Sequence, residues 1–160
     1  MDEDSRRLIE AWLHVAEKEA PGLNPPLDSF FRFMALWVAF NAYLTRRYPC
    51  PSGDHNKVRE FARDESIVEF HQYCLRDQDY KTAVQRFRQG VRDMHARRDD
   101  IYYVNSPTCF TEVMECVYHV RCNLFHGDKE VASERDRVLV EAAYRIVMDH
   151  LKRLLKQSRE

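Results

Sequence analysis

Along most of this chain, apolar side chains recur every three or four residues. Between Ser5 and Ala20 they fall at Leu8, Ile9, Trp12, Val15 and Ala16, and Pro21-Gly22 stops the run, which predicts an amphipathic helix. From Leu27 to Tyr48 the pattern changes. Phe30, Phe31, Phe33, Met34, Leu36, Trp37, Val38, Phe40, Tyr43 and Leu44 surround the axis almost completely, as expected of a central helix. Arg46 and Arg47 suit the negative end of its dipole, and Pro49-Cys50-Pro51-Ser52-Gly53 breaks the chain.

Two shorter helices follow, His55 to Asp64 and Ser66 to Arg76, the second opened by a capping-box pattern of Ser66 with Glu69. Tyr80, Ala83, Val84, Phe87, Val91 and Met94 predict a further helix over Tyr80 to Arg98, and Asp99 to Pro107 is the longest irregular stretch. Thr108 to His126 and Ser133 to Lys156 read as an antiparallel helical hairpin around Gly127-Asp128-Lys129. With only 4 Gly and 6 Pro against 32% charged residues, strands are disfavoured. The expectation is a single all-α domain over 1–160, an antiparallel bundle of four or five main helices plus short ones.

Twenty-five basic and 26 acidic side chains leave a net charge of −1, so any nucleic-acid site must be a local patch. Lys81 to Arg98 holds six basic residues and one acid, Asp93. On a helix Arg88, Arg92 and His95 would share one flank, as a phosphate track requires, although a solvated face explains such charge more often than RNA does. Five cysteines, odd in number and without a C-x-x-C pair, fit neither a disulfide framework nor a zinc ribbon. The acidic start Met1-Asp2-Glu3-Asp4 is unlike a signal peptide, and no apolar run nears the ~20 residues that span a bilayer. A cytoplasmic protein with no membrane partner is expected.

Chemistry concentrates near the end of the Thr108 to His126 helix. Phe110, Val113, Met114, Val117, Val120, Leu124 and Phe125 form one apolar face, and Arg121 falls inside it. A guanidinium there needs an anion or carbonyl partner, because leaving it unpaired costs several kcal/mol. His126 lies about 140° round an ideal helix from Arg121, but Gly127 marks it as a final-turn residue, where the geometry departs from regularity. A histidine that titrates near neutrality moves protons, and a fixed guanidinium holds a phosphate, so the pair suits metal-free RNA cleavage by the neighbouring 2′-hydroxyl. A competing constellation is a metal triad of His119, Cys122 and His126 at i, i+3 and i+7, with Glu115 on the same face. His14, His55, His71 and His150 are scattered and read as surface residues.

The run Val117 to Lys129, VYHVRCNLFHGDK, resembles the R-x4-6-H signature of the HEPN superfamily, and Leu36 to Tyr43, LWVAFNAY, resembles a W-x-x-F-N-A-Y stretch in a central helix of such domains. The resemblance implies a helical bundle that dimerises so that Arg and His of both protomers line one cleft. In many members this cleft cleaves RNA, leaving a cyclic phosphate, and in others it only binds. By position, Arg121 would hold the scissile phosphate and His126 would act as general base or acid, with no cofactor or metal. Asn123 and Asn41 would support them, and Arg88, Arg92 and Lys129 would contact RNA. Asn41 reads equally as a core amide. Microbial defence, including toxin–antitoxin systems with an inhibitory or nucleotidyltransferase-type partner, is the implied setting. Two departures stand out: active members often carry a polar residue directly after the arginine, where this chain has Cys122, and the tyrosine that follows the histidine in one toxin branch is here Asp128. The alternative is a non-catalytic HEPN module for RNA or nucleotide binding or for dimerisation; a purely structural bundle is the third possibility.

Overall fold

The structure, a computed structural model, describes residues 2–18, 25–50, 52–93, 100–126 and 133–157. Helices α1 (Glu3–Lys18) and α2 (Pro25–Arg47) run antiparallel. At one end Arg46 Nε donates to Ser5 Oγ, and at the other Arg32 Nη1 donates to the Ala16 carbonyl at 3.0 Å. Three short helices follow, α3 (Asp54–Arg63), α4 (Glu65–Cys74) and α5 (Gln78–Arg86), and two long ones complete the bundle, α6 (Phe110–Phe125) and α7 (Glu134–Gln157). Phe110, which opens α6, stacks on His150 late in α7 at 4.7 Å, as an antiparallel pair requires. The fold is the expected all-α bundle.

α2 supplies the centre of the core through Phe33, Leu36, Trp37, Phe40 and Leu44, packed with Phe61 of α3, Val113, Val117 and Val120 of α6, and Ile146, Val147 and Leu151 of α7. One face of α2 is not covered by the described residues. Leu27, Phe31, Met34 and Val38 recur at three- and four-residue spacing on it, and Leu27, Met34 and Val38 are each close to 40% exposed. The apolar face of α6, by contrast, is nearly consumed inside the bundle, and only Phe125 stands out.

The helix expected over Tyr80 to Arg98 stops at Arg86. A 3₁₀ turn, Phe87–Gln89, leads to Gly90, whose φ of 83° and ψ of 147° suit glycine almost alone. A Cβ at Gly90 would lie 2.6 Å from both Ile101 Cγ2 and Tyr103 Cε1, so the glycine also permits close packing. The chain then forms β1 (Val91–Arg92), antiparallel to β2 (Ile101–Tyr102), with Val91 opposite Tyr102. Tyr80, Ala83, Val84, Phe87 and Val91 are all buried as their spacing predicted, but Val91 reaches the core from a strand. The start of α4 also differs, because its cap is Asp64, which accepts from the Ser66 amide at 3.1 Å and from Tyr48 Oη at 3.1 Å.

Candidate functional site

Arg121 sits four residues before the end of α6, its side chain 20% exposed. Nη2 reaches Asp54 Oδ2 at the first residue of α3 across 3.4 Å, and Nη1 lies 3.8 Å from Cys122 Sγ. The guanidinium stands 4.9 Å from the centre of the Phe125 ring and 5.7 Å from that of Trp37. Its Nε–H is buried and makes no hydrogen bond among the described residues. The carboxylate anchor is therefore single-pronged and long, which leaves much of the five-donor fork available to another anion.

Two further buried polar atoms without hydrogen-bond partners lie one turn apart on α2, Trp37 Nε1 and Asn41 Oδ1. Asn41 is thus not a core amide satisfied at its oxygen, and it continues the exposed stripe of Met34 and Val38 at the next helical step. In most proteins such groups are met by ordered water or by a ligand. His126 is exposed and forms the C-cap of α6, with φ −87° and ψ −1°; its amide reaches the carbonyls of Cys122 and Leu124. Gly127 and Lys129 lie outside the described residues.

Three expected contributors are placed differently. Asn123 is buried, 1% exposed, and its amide nitrogen donates to the Arg92 carbonyl at 2.7 Å, so it fastens α6 to the hairpin and does not face a cleft. Arg88 and Arg92 are exposed but stand in the 3₁₀ turn and β1, because Gly90 has ended the helix that would have aligned them. The single-helix phosphate track is not formed; His95 lies outside the described residues. Basic residues do share a surface groove of about 660 Å³ between α4 and α7, with Arg76, Arg145, Lys152 and Arg153, although Asp77 and Asp149 pair with Arg145 there.

The metal constellation also changes. His119 points inward, and the side chains that cluster with it are Glu115, one turn back, and His55 of α3. Glu115 Oε2 lies 2.6 Å from His55 Nε2 and 3.9 Å from His119 Nε2, while Glu115 Oε1 accepts from Arg59 Nε at 2.6 Å. Burial alone would raise the Glu115 pKa, but the hydrogen bonds and charges of His55 and Arg59 outweigh it and hold the carboxyl down at about 2. Cys122 turns instead toward Arg121. The other histidines are not all superficial. His71 and His150 are buried among Tyr80 and Phe110; His71 Nε2–H donates to the Pro107 carbonyl at 2.7 Å and Nδ1 accepts from Tyr80 Oη at 2.9 Å. Asp54, Trp37 and His55 were absent from the sequence-derived site, because their link to α6 spans more than sixty residues in the case of Asp54 and no local spacing signals it.

All five cysteines are free thiols. No helix among the described residues is long and apolar enough to cross a membrane. What fold and site define is an all-α bundle presenting an under-satisfied arginine beside an uncovered apolar stripe. Neither the protein-family models, the curated proteins nor the solved structures offer a match to this chain.

Proposed function

We propose that the protein is a homodimeric, metal-independent RNA endonuclease of HEPN type, working through Arg121 and His126. The observation that carries this reading is the state of Arg121: one long contact to Asp54, an Nε–H without a hydrogen bond, and two aromatic rings around a cation near the surface. A guanidinium held this way is preorganised for a phosphate, since an incoming anion replaces a weak contact and satisfies a donor already desolvated. His126 lies just past the last turn of the same helix, exposed, where an imidazole can exchange protons with bound substrate. In the reaction one histidine takes the proton of the 2′-hydroxyl, the 2′-oxygen attacks the adjacent phosphorus, and the P–O5′ bond breaks as the other, protonated histidine of the dimer gives its proton to the 5′-oxygen, leaving a 2′,3′-cyclic phosphate.

The dimer would form through α2. Leu27, Met34 and Val38 form an exposed apolar line that ends at Asn41. A twofold axis across this line would cover the apolar stripe with its own copy. Free thiols suit a reducing compartment such as the cytoplasm. The non-catalytic alternative has one observation in its favour: the residue beside Arg121 Nη1 is the weak donor Cys122. Incubating purified protein with RNA in EDTA discriminates between them. Cleavage products ending in a cyclic phosphate support the enzyme; saturable binding without cleavage, weakened by Arg121→Ala, supports the binding module; neither binding nor cleavage overturns both.

A further inference from the structure

We propose that His55, Glu115 and His119 form a binding site for one divalent first-row transition ion, of which Zn²⁺ is the natural probe, joining the start of α3 to the middle of α6. The ligand atoms all lie within 4.8 Å of one another. Zinc bonds of about 2.0–2.2 Å at tetrahedral angles place ligand atoms roughly 3.3 Å apart, so side-chain shifts on the order of 1 Å close the site.

The strongest sign is His119. It is 5% exposed, and neither ring nitrogen makes a hydrogen bond. A buried imidazole with both nitrogens unsatisfied is costly, and a metal ion on Nε2 would compensate it while leaving the ring in place. Tyr102 stacks on the ring at 3.8 Å and 11°, which fixes its plane. The two nitrogens already face different groups. Nε2 looks to Glu115 Oε2 at 3.9 Å, and Nδ1 to the Asp93 carboxylate at 3.7 Å. With the ion on Nε2, the Nδ1–H would point to Asp93, the carboxylate–histidine arrangement that orients imidazole ligands elsewhere. Glu115 is divided in the same manner: Arg59 holds Oε1, and Oε2 is left toward the two histidines. Without an ion, the short His55–Glu115 contact is the hydrogen bond that the same atoms make with each other.

Two histidines and one carboxylate leave at least one coordination position, and the side chains of His55 and Glu115, 29% and 20% exposed, give it a path to solvent. Nothing in the site depends on Arg121 or His126, so the inference stands or falls apart from the RNA reading.

The test titrates the full chain, dialysed against EDTA and then freed of it, with Zn²⁺ by calorimetry and with Co²⁺ by absorption. Expected are one equivalent of tight binding, a rise in melting temperature with free Zn²⁺, and a Co²⁺ spectrum with d–d bands but no thiolate charge-transfer band. His55→Ala, at a partly exposed position, should weaken binding more than 100-fold, since outer contacts alone are worth about 10–100-fold. Cys122→Ser should leave the affinity unchanged. Absence of saturable binding to the wild-type chain overturns the site, as does a thiolate band, which would move the ion to a cysteine. Equal affinity of wild type and His55→Ala overturns it as well. The wild-type spectrum needs no variant, so a His55→Ala chain that failed to fold would still leave the site open to refutation.

Discussion

Acid should destabilise this fold well before its carboxylates titrate, and His150 is the main reason. The residue is 1% exposed, stacks on Phe110 at 4.7 Å, and donates Nδ1–H to the Ile146 carbonyl at 2.9 Å. Burial pushes its pKa down from 6.5 to about 3, opposed by the Ile146 hydrogen bond and helped by neighbouring His71 and Arg153. His71 is lowered too, again by burial, against the opposing bond to Pro107. In the unfolded chain both groups bind a proton as pH falls below 6.5, whereas the folded chain resists that protonation, His150 most strongly. Their contribution is complete above pH 6.5 and is lost progressively toward the folded value. At pH 5 the loss from His150 alone is about 2 kcal/mol, because the unfolded group is then about 1.5 pH units below its pKa and each unit is worth about 1.4 kcal/mol. That corresponds to roughly 4–8 °C in melting temperature for a domain of this size. The assay is urea unfolding at pH 7.5, 6.5, 5.5 and 5.0 at one protein concentration, for wild type and His150→Phe. The variant should lose about 2 kcal/mol less between pH 7.5 and 5.0 than wild type does. An identical loss in both proteins would refute the assignment and place the acid sensitivity in other groups.

Gly90→Ala should cost about 1–3 kcal/mol or more in urea, since alanine would adopt a positive φ and meet Ile101 and Tyr103. Asn123→Ala should lower stability by about 1–3 kcal/mol by leaving the Arg92 carbonyl without its donor, and should disturb RNA binding only through that loss of stability. Val38→Glu, on the exposed stripe of α2, should convert a sedimenting dimer into a folded monomer; a wild-type chain already monomeric at micromolar concentration would remove the dimeric cleft from the account.

Most helices were legible because their spacing is local. The repeat through Leu8, Ile9 and Trp12 and the breaks at Pro21 and Gly53 are signals that one stretch of chain carries by itself. Gly90 was visible but ambiguous, since a lone glycine inside a helical pattern is often tolerated, and only the packing of Ile101 and Tyr103 from the returning strand decides that it turns the chain. Apolar positions around all of α2 suggested a central helix, but periodicity cannot distinguish a face buried in the bundle from one left exposed, as Leu27, Met34 and Val38 show. The site divides the same way. Arg121 and His126 announced themselves on one helix, whereas Asp54 and His55 are brought to α6 by tertiary packing. His71 and His150 misread as surface residues because polarity in sequence says nothing of the Tyr80 and Pro107 groups that satisfy His71 inside.

The most direct test of the central claim is a pair of RNA oligonucleotides identical except for a single 2′-deoxy sugar on the 5′ side of the mapped cleavage bond, incubated in EDTA with wild type and His126→Ala. Wild type should cut only the all-ribose strand, leaving a cyclic phosphate, and His126→Ala should be slower by about 10²–10⁴-fold with its fold and sedimentation unchanged. Cleavage of the deoxy strand at the same bond, or an undiminished rate for His126→Ala, would contradict the account.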